Sequence, residues 1–275
     1  MHGFFSLFLI AIVAGFVGAM SGMGGGVVLI PALTGLLGVD IKHAIAVSML
    51  SVIATSSGAA SAYVRDRLTN LKLGMFLETF AMFGALAGAA IAVSVQTRWL
   101  FILFGVVLLG SWAALVFRRD GEWRPVSHPD ALSRWLELRG GYPDEGAMVS
   151  YDATNAAWGA LAMIGAGIVA GLLGIGAGAL KVLIHDLIMR VPPKVSTTTS
   201  NLIIGVTALA GTSVYLARGM IEPRLAAPIV LGILIGAWIG TRLLVRLDNQ
   251  HVRRFFLVVL VLLAVEMIAR GWRHA

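Results

Sequence analysis

The sequence predicts an all-α integral membrane protein built from two inverted repeats of about five helical segments each, with broken or re-entrant half-helices at glycine clusters. Three observations carry this prediction: an apolar composition, an internal duplication, and glycines that interrupt apolar runs. Of the 275 residues, 58% are hydrophobic and 13% charged, and the mean hydropathy is +0.89. Soluble domains carry about 25% charged residues. Several apolar stretches also reach the roughly 18–25 residues that cross a bilayer.

The duplication appears when the chain is aligned with itself at an offset of 152 residues, which needs no gap from about residue 14 to residue 104. Small residues match by chance in membrane proteins, but larger and polar residues rarely do so in one register. Such matches include Lys42 with Lys194, Ser48 with Ser200, and Tyr63 with Tyr215. An ungapped register of this length indicates an internal repeat.

Each half contains five apolar segments. They cover residues 3–20, 27–38, 41–63, 72–95 and 99–117 in the first half, and 155–172, 179–190, 194–217, 224–246 and 251–270 in the second. The second segment of each half has only about 12 residues, or about 18 Å of helix, which is too short to cross alone. Because a glycine cluster precedes it, we predict a broken or re-entrant hairpin at this point in each half.

These segments divide the chain into a first membrane repeat (1–117), a polar linker (118–152) and a second membrane repeat (153–275). The linker holds five arginines and seven acidic residues. Within it, residues 129–138 place apolar side chains at helical spacing after Asp130, which predicts a short helix on the membrane surface. A flexible linker is the alternative.

Lysine and arginine positions predict the orientation. If each half makes an odd number of crossings, 14 of the 21 Lys and Arg residues fall on the side of the linker and six on the other. An even number gives a 12-to-8 division instead. Because positive residues collect in the cytoplasm, the odd arrangement predicts inverted halves, a cytoplasmic linker and both termini outside. Inverted repeats are themselves an argument for alternating access.

The glycine clusters are candidates for an anion site. A helix that restarts after a break presents unpaired N–H groups and the positive end of its dipole. In a membrane, such a break is tolerated only where protein buries it or where it lines a cavity. We therefore expect the breaks to supply N–H donors to an anion. The backbone candidates are Gly24, Gly25, Gly26, Gly176 and Gly178.

A hydroxyl-rich helix follows each half-helix and supplies candidate side-chain donors. Neutral donors suit a small oxyanion that must bind and then leave. The alternative is that small hydroxyl residues only pack helices together, but the unbroken polar run from residue 196 to 201 exceeds what packing needs. The candidates are Ser48, Ser51, Thr55, Thr198, Thr199, Ser200, Asn201 and Thr207.

Ionisable residues within apolar segments are functional candidates by default. Lys181 either adds charge to the anion site or extends to the interface. Glu78, His185 and Asp186 are candidates for ion coupling. The alternatives are that Glu78 pairs with a loop arginine and that His185 and Asp186 lie exposed near Arg190.

No enzyme motif accompanies these residues, and the sequence predicts no catalytic group, metal site or cofactor. The chain has no cysteine and therefore no cysteine-ligated metal. Its net charge of +7 is explained by loop lysines and arginines rather than by nucleic-acid binding. The expected partners are a small anionic substrate, membrane lipid, a proton or sodium ion for coupling, and further copies of the chain in a homo-oligomer.

The glycine clusters and the helices after them resemble the TauE/SafE sulfite exporter family. The resemblance is carried by residues 14–26, Pro31 and residues 46–58, and again by residues 171–178. It implies a secondary transporter of the bacterial inner membrane that exports sulfite, sulfoacetate or other organosulfonates and is coupled to an ion. The alternatives are a passive anion channel, a carboxylate transporter, and a non-transporting membrane module whose linker docks cytoplasmic partners.

Overall fold

The computed structural model describes residues 3–21, 24–65, 69–117, 126, 128–144, 147–244 and 249–273. Within these ranges the chain is almost entirely helical, as predicted. The first half contains α1 (Phe4–Ser21), α2 (Gly26–Leu36), α3 (Ile41–Arg65), α4 (Leu71–Ser94) and α5 (Thr97–Phe117). The linker forms α6 (Ala131–Trp135) and the strands β1 (Arg139–Asp144) and β2 (Ala147–Asp152). The second half contains α7 (Ala156–Leu173), α8 (Gly178–Leu183), a π-helical turn (Ile184–Ile188), α9 (Pro193–Ala217), α10 (Pro223–Leu244) and α11 (Asn249–Arg273).

The ten predicted apolar segments correspond to α1–α5, α7, α8 with the π-helical turn, and α9–α11, and their ends agree within three residues. Five helices of the described chain are long and apolar enough to cross a membrane: Leu71–Ser94, Thr97–Ala114, Ala156–Leu173, Pro193–Ala217 and Pro223–Gly240. The apolar parts of α1, α2 and α3 are shorter. These lengths are those of a multi-pass membrane protein.

Helices of one half pack against helices of the other half. Helix α1 packs along α10, and α4 packs along α7. Glycines allow both contacts, because a Cβ on Gly84 would overlap the carbonyl of Ile164 and one on Gly236 would overlap the carbonyl of Ile12. Close backbone approach at small residues is typical of membrane helix pairs. Both contacts obey the offset of 152 residues, since Gly84 matches Gly236 and Ile12 matches Ile164.

The direction of each pair follows from its contacts. In α1 and α10, Phe8 lies beside Gly232 and Phe16 beside Gly240, so the two helices run in the same direction. Helices α4 and α7 likewise run parallel, because Ala81 lies beside Gly167 and Ala85 beside Gly171.

The other two large contacts join repeat mates. Helix α3 packs on α9, and α5 packs on α11. Met49 lies beside Gly211, whereas Ser56 lies beside Gly205, so α3 and α9 run in opposite directions. Helices α5 and α11 are also antiparallel, because Gly105 contacts Ile268 whereas Gly271 contacts Ile102.

The linker is folded where the structure describes it. Within residues 129–138, Ala131–Trp135 form the short helix α6, and Asp130 caps it by accepting a hydrogen bond from the Ser133 N–H at 3.2 Å. An antiparallel hairpin, β1–β2, follows it with Arg139 opposite Asp152. We did not predict this hairpin. Tyr142 and Tyr151 are buried in one cluster with Leu73 of α4, so the hairpin packs onto the membrane helices.

Polar contacts connect neighbouring elements at the two ends of the helix bundle. At the end opposite the linker, Lys42 Nζ donates to the Val93 carbonyl at 2.7 Å, and Arg270 donates to the Thr34 carbonyl at 3.0 Å. At the linker end, Lys72 forms an ion pair with Glu137 at 2.5 Å. The core between these ends contains both glycine breaks.

Candidate functional site

The two glycine breaks contact each other across the boundary between the halves. A Cβ on Gly26 would overlap Ser48 Oγ and approach the Gly174 carbonyl oxygen to 2.6 Å. Ser48 Oγ donates a hydrogen bond of 2.7 Å to that same carbonyl. The glycine breaks of the two repeats are therefore brought into one buried region.

The backbone explains why glycines are needed there. Gly24, Gly174 and Gly176 have φ values of +82°, +67° and +68°, which lie in the left-handed region that glycine adopts without a steric penalty. Ala177 also has a positive φ, +52°. Helices restart after these residues at Gly26 and Gly178, so the predicted breaks are present. Gly22 and Met23 of the first cluster lie outside the described residues.

Two aliphatic side chains fill the space between the breaks. A Cβ on Gly24 would lie 3.2 Å from Val52 Cγ2, and one on Gly176 would lie 3.0 Å from Val52 Cγ1. That Cβ on Gly176 would also lie 2.6 Å from Ile204 Cγ2, and Val52 and Ile204 pack in one buried cluster. The two are repeat mates. In this conformation, Val52 and Ile204 therefore fill the space between Gly24 and Gly176.

The hydroxyl candidates fall into two groups. Ser48 and Ser200 are repeat mates and both reach a break, because Ser200 Oγ donates to the Gly178 carbonyl at 3.2 Å. Hydroxyls of the second group donate to carbonyls of their own helix. These are Ser51 to Val47 at 3.3 Å, Thr55 to Ser51 at 3.1 Å, and Thr198 to Lys194 at 3.0 Å.

Thr199 and Asn201 form hydrogen bonds away from the glycine breaks. Thr199 Oγ1 accepts a hydrogen bond of 3.1 Å from the Asn70 N–H, which places it toward the linker end. The Asn201 carbonyl accepts a hydrogen bond of 2.7 Å from Ser56 Oγ, which joins α3 to α9. Ser200 is thus the residue of this polar run whose side chain donates to a carbonyl of the second break.

Lys181, Glu78 and Thr207 form a buried ionic cluster. Lys181 Nζ lies 2.9 Å from Glu78 Oε2, and these two side chains are 0% and 3% exposed. Lys181 also donates to Thr207 Oγ1, and Thr207 Oγ1 donates to Glu78 Oε1. Lys181 therefore does not extend to the interface, and the partner of Glu78 is Lys181 rather than a loop arginine.

The cluster joins α4, α8 and α9, and so connects the two halves. Burying one charge alone is very unfavourable, whereas a hydrogen-bonded pair compensates much of the desolvation penalty. At the equivalent positions of the repeat stand Leu29, Val230 and Thr55. The ionic cluster is therefore present on one side of the repeat and absent on the other.

His185 and Asp186 lie in the π-helical turn that follows α8. His185 is completely buried, with Nδ1 3.3 Å from the Ser196 carbonyl oxygen, so the expectation of an exposed His185 is wrong. Its Nε2 has no hydrogen-bond partner among the described residues. Asp186 is half-buried. Such π-helical turns are frequent at functional sites.

Sequence reasoning missed Asn70, which ties the linker to the membrane helices. Its side chain caps α4 by accepting from the Leu73 N–H at 3.0 Å and donates to Tyr151 Oη at 2.8 Å. Burial raises the pKa of Tyr151 to about 12, so this hydroxyl remains protonated at neutral pH. An asparagine before an apolar helix signals a cap, but nothing in the sequence indicates the tyrosine partner.

The part of the chain that the structure describes contains no group of three or more His, Cys, Asp or Glu residues that could hold a metal ion. The donors near the breaks are instead hydroxyls, one ammonium and backbone groups. Donor sets of this kind suit an oxyanion.

Comparison with known proteins identifies the family of the chain and several relatives. The family model described as sulfite exporter TauE/SafE matches residues 7–267. The "Probable membrane transporter protein YunE" of Bacillus subtilis (strain 168) is 25% identical over 98% of each chain. The "Probable membrane transporter protein YdhB" of the same organism is 24% identical over 86% of each chain. A "Probable membrane transporter protein" of Xylella fastidiosa (strain 9a5c) is 24% identical over 94% of this chain and 92% of its own.

No solved structure matches the chain. The family match nevertheless covers both repeats, both glycine breaks and the ionic cluster. The chain thus belongs to the TauE/SafE sulfite exporter family, whose members are membrane transporters rather than enzymes.

Proposed function

We propose that the protein is a secondary transporter that exports small sulfur-containing anions, such as sulfite, sulfoacetate or other organosulfonates, across the bacterial inner membrane. The observation that carries this proposal is the family match over residues 7–267, which includes two helix breaks that meet in the core. The relatives are named as probable membrane transporters.

Alternating access between inverted repeats is the mechanism we propose. The reciprocal contacts support it, because α1 packs on α10 as α4 packs on α7. The antiparallel packing of α3 on its own repeat mate α9 is what a two-fold axis in the membrane plane would produce. Two halves related in this way can exchange conformations and so open one site to either side.

The binding site that we propose lies between the breaks. Gly24–Gly26 and Gly176–Gly178 would contribute backbone N–H groups, and Ser48 and Ser200 the nearest hydroxyls. Lys181 follows Gly178 by three residues and would supply the positive charge. The remaining predicted donors shape the helices around this site: Ser51, Thr55, Thr198, Thr199, Asn201 and Thr207.

A carrier accounts for this packing better than a channel does. Val52 and Ile204 are almost completely buried between the breaks, and a channel needs a continuous polar path in its open state. In a carrier, these two side chains would separate when the site opens to one side.

Purified protein in liposomes provides the test. We expect it to take up labelled sulfite or a sulfonate, and the replacement Gly25→Leu, which puts a side chain into the first glycine break, to abolish this uptake. Gly165→Leu is the matched control, because a Cβ on Gly165 contacts nothing within 4 Å, and it should keep full uptake. Equal uptake by the Gly25→Leu variant would refute the site, and uptake of carboxylates alone would refute the substrate class.

A further inference from the structure

We propose that Lys181 is the charge that holds the transported anion, and that Glu78 serves as its internal counter-ion until a proton neutralises the Glu78 carboxylate. This inference rests on the proposed function and adds to it a substrate contact and a coupling ion. It makes Glu78 the proton-carrying residue and the ionic cluster the place where proton and anion exchange.

The geometry of the cluster carries the first step. Lys181 Nζ donates to Glu78 Oε2 at 2.9 Å and to Thr207 Oγ1, and Thr207 donates to Glu78 Oε1. Both carboxylate oxygens therefore accept hydrogen bonds, as an ionised carboxylate does. In this ring, the Glu78 carboxylate already balances the charge of the Lys181 ammonium. An external anion can therefore bind to Lys181 only if it replaces the Glu78 carboxylate.

Charge balance carries the second step. Uncompensated charges are expensive inside a membrane, so Lys181 needs one anionic partner at every stage. When a proton adds to a Glu78 carboxylate oxygen, the neutral acid no longer balances the ammonium, and a substrate oxyanion takes its place. Ionisation of Glu78 on the other side of the membrane releases the proton and restores the internal pair, which expels the anion. One proton then accompanies each monovalent anion in the same direction, so the cycle is electroneutral and export is driven by the concentration gradient of the anion itself.

Comparison of equivalent positions in the two repeats indicates that the protein has one site of this kind rather than two. Leu29, Val230 and Thr55 stand where the other side of the repeat has Lys181, Glu78 and Thr207. Leu29 is completely buried, so that side offers an anion no lysine. Lys181 lies on α8, directly after the second glycine break, whereas α2, directly after the first break, contains no lysine.

The surrounding elements hold few other titratable groups. Helix α7 has none, and α9 has Lys194 at its exposed start and Tyr215, whose hydroxyl donates to the Gly171 carbonyl at 2.9 Å. The π-helical turn contributes His185, which is buried one turn beyond Lys181, and the half-buried Asp186. His185 is therefore the residue whose titration must be distinguished from that of Glu78.

Calorimetric titration of the full-length protein with methanesulfonate tests the proposal, because a sulfonate keeps its charge over the whole pH range. If one proton must bind with each anion, the Kd of the wild-type protein should rise about tenfold per pH unit between about pH 6 and about pH 8. Glu78→Gln mimics the neutral acid and should bind tightly at both pH values. Sulfite is titrated in parallel, and the ratio of wild-type to Glu78→Gln Kd cancels its own ionisation.

Three further variants sharpen the result. Glu266→Gln removes a carboxylate from another ion pair, the one with Arg270 at 3.0 Å, and should keep the wild-type pH slope, as should His185→Gln. The double variant Glu78→Gln/Lys181→Gln removes both charges together and should bind neither anion.

A pH slope that persists in Glu78→Gln, or disappears in His185→Gln, would overturn the proposal, as would tight binding by the double variant. These outcomes differ from a failure of the proposed function, in which the wild-type protein would neither bind nor transport any sulfur anion at any pH.

Discussion

At the scale of single residues, the informative feature is the ionic cluster of Lys181, Glu78 and Thr207. Each of the three was a candidate from the sequence, because charged and hydroxyl groups inside apolar segments invite a function. Their association was not predictable. Lys181 and Glu78 are 103 positions apart, and the repeat register matches them with Leu29 and Val230, which gives no hint that they meet.

The buried pair makes a prediction about stability. Lys181→Met leaves the Glu78 carboxylate without its counter-ion, and removing one partner of a buried pair typically costs about 3–5 kcal/mol. The double replacement Lys181→Met/Glu78→Met removes both charges and should recover most of this loss. Denaturant unfolding in detergent measures both variants. A double variant no more stable than Lys181→Met would show that the pair is not the origin of the effect.

At the scale of secondary-structure elements, the helices were predictable and the hairpin was not. Length and hydropathy decide where membrane helices run, and glycines decide where they break. The hairpin instead depends on tertiary contacts, because its sequence includes Gly140, Gly141 and Pro143, which are poor strand formers. Its stability comes from Tyr142 and Tyr151, which are buried against α4.

Asn70 is the element-scale test of this docking. Asn70→Ala removes the cap of α4, which costs about 1 kcal/mol, and also removes the donor to Tyr151. We therefore expect hydrogen exchange of residues 139–152 to accelerate at least several-fold, while exchange within α9 changes little. Thr79→Ala is the matched control, because it removes an exposed hydroxyl of the same helix that donates to the Met75 carbonyl at 3.0 Å. Equal exchange in the two variants would contradict the proposed tether.

At the scale of the whole molecule, the sequence register predicts equivalent contacts better than it predicts equivalent chemistry. Gly84 and Gly236 match in the sequence and occupy equivalent positions against α7 and α1. Small residues survive at both places because either helix pair would separate if a side chain were added. The same register does not predict the ionic cluster. Packing restricts the size of the side chain at both equivalent positions, whereas a buried charge is required only at the position where it has a function.

Cysteine accessibility tests the inverted arrangement that we propose, and the native chain contains no cysteine to interfere. Asp40 and Arg190 lie in the turns that follow the two short helices. The two turns are equivalent in the repeat, because Gly38 and Arg190 are 152 positions apart and have positive φ values of +63° and +55°. In inverted repeats these turns face opposite sides of the membrane. A membrane-impermeant maleimide should therefore label Asp40→Cys only from outside the cell and Arg190→Cys only from the cytoplasm. Ser150→Cys on the linker hairpin should share the labelling of Arg190→Cys, because the excess of positive residues predicts that this end faces the cytoplasm. Labelling of Asp40→Cys and Arg190→Cys from one side would instead require parallel repeats, and alternating access would then need another structural basis.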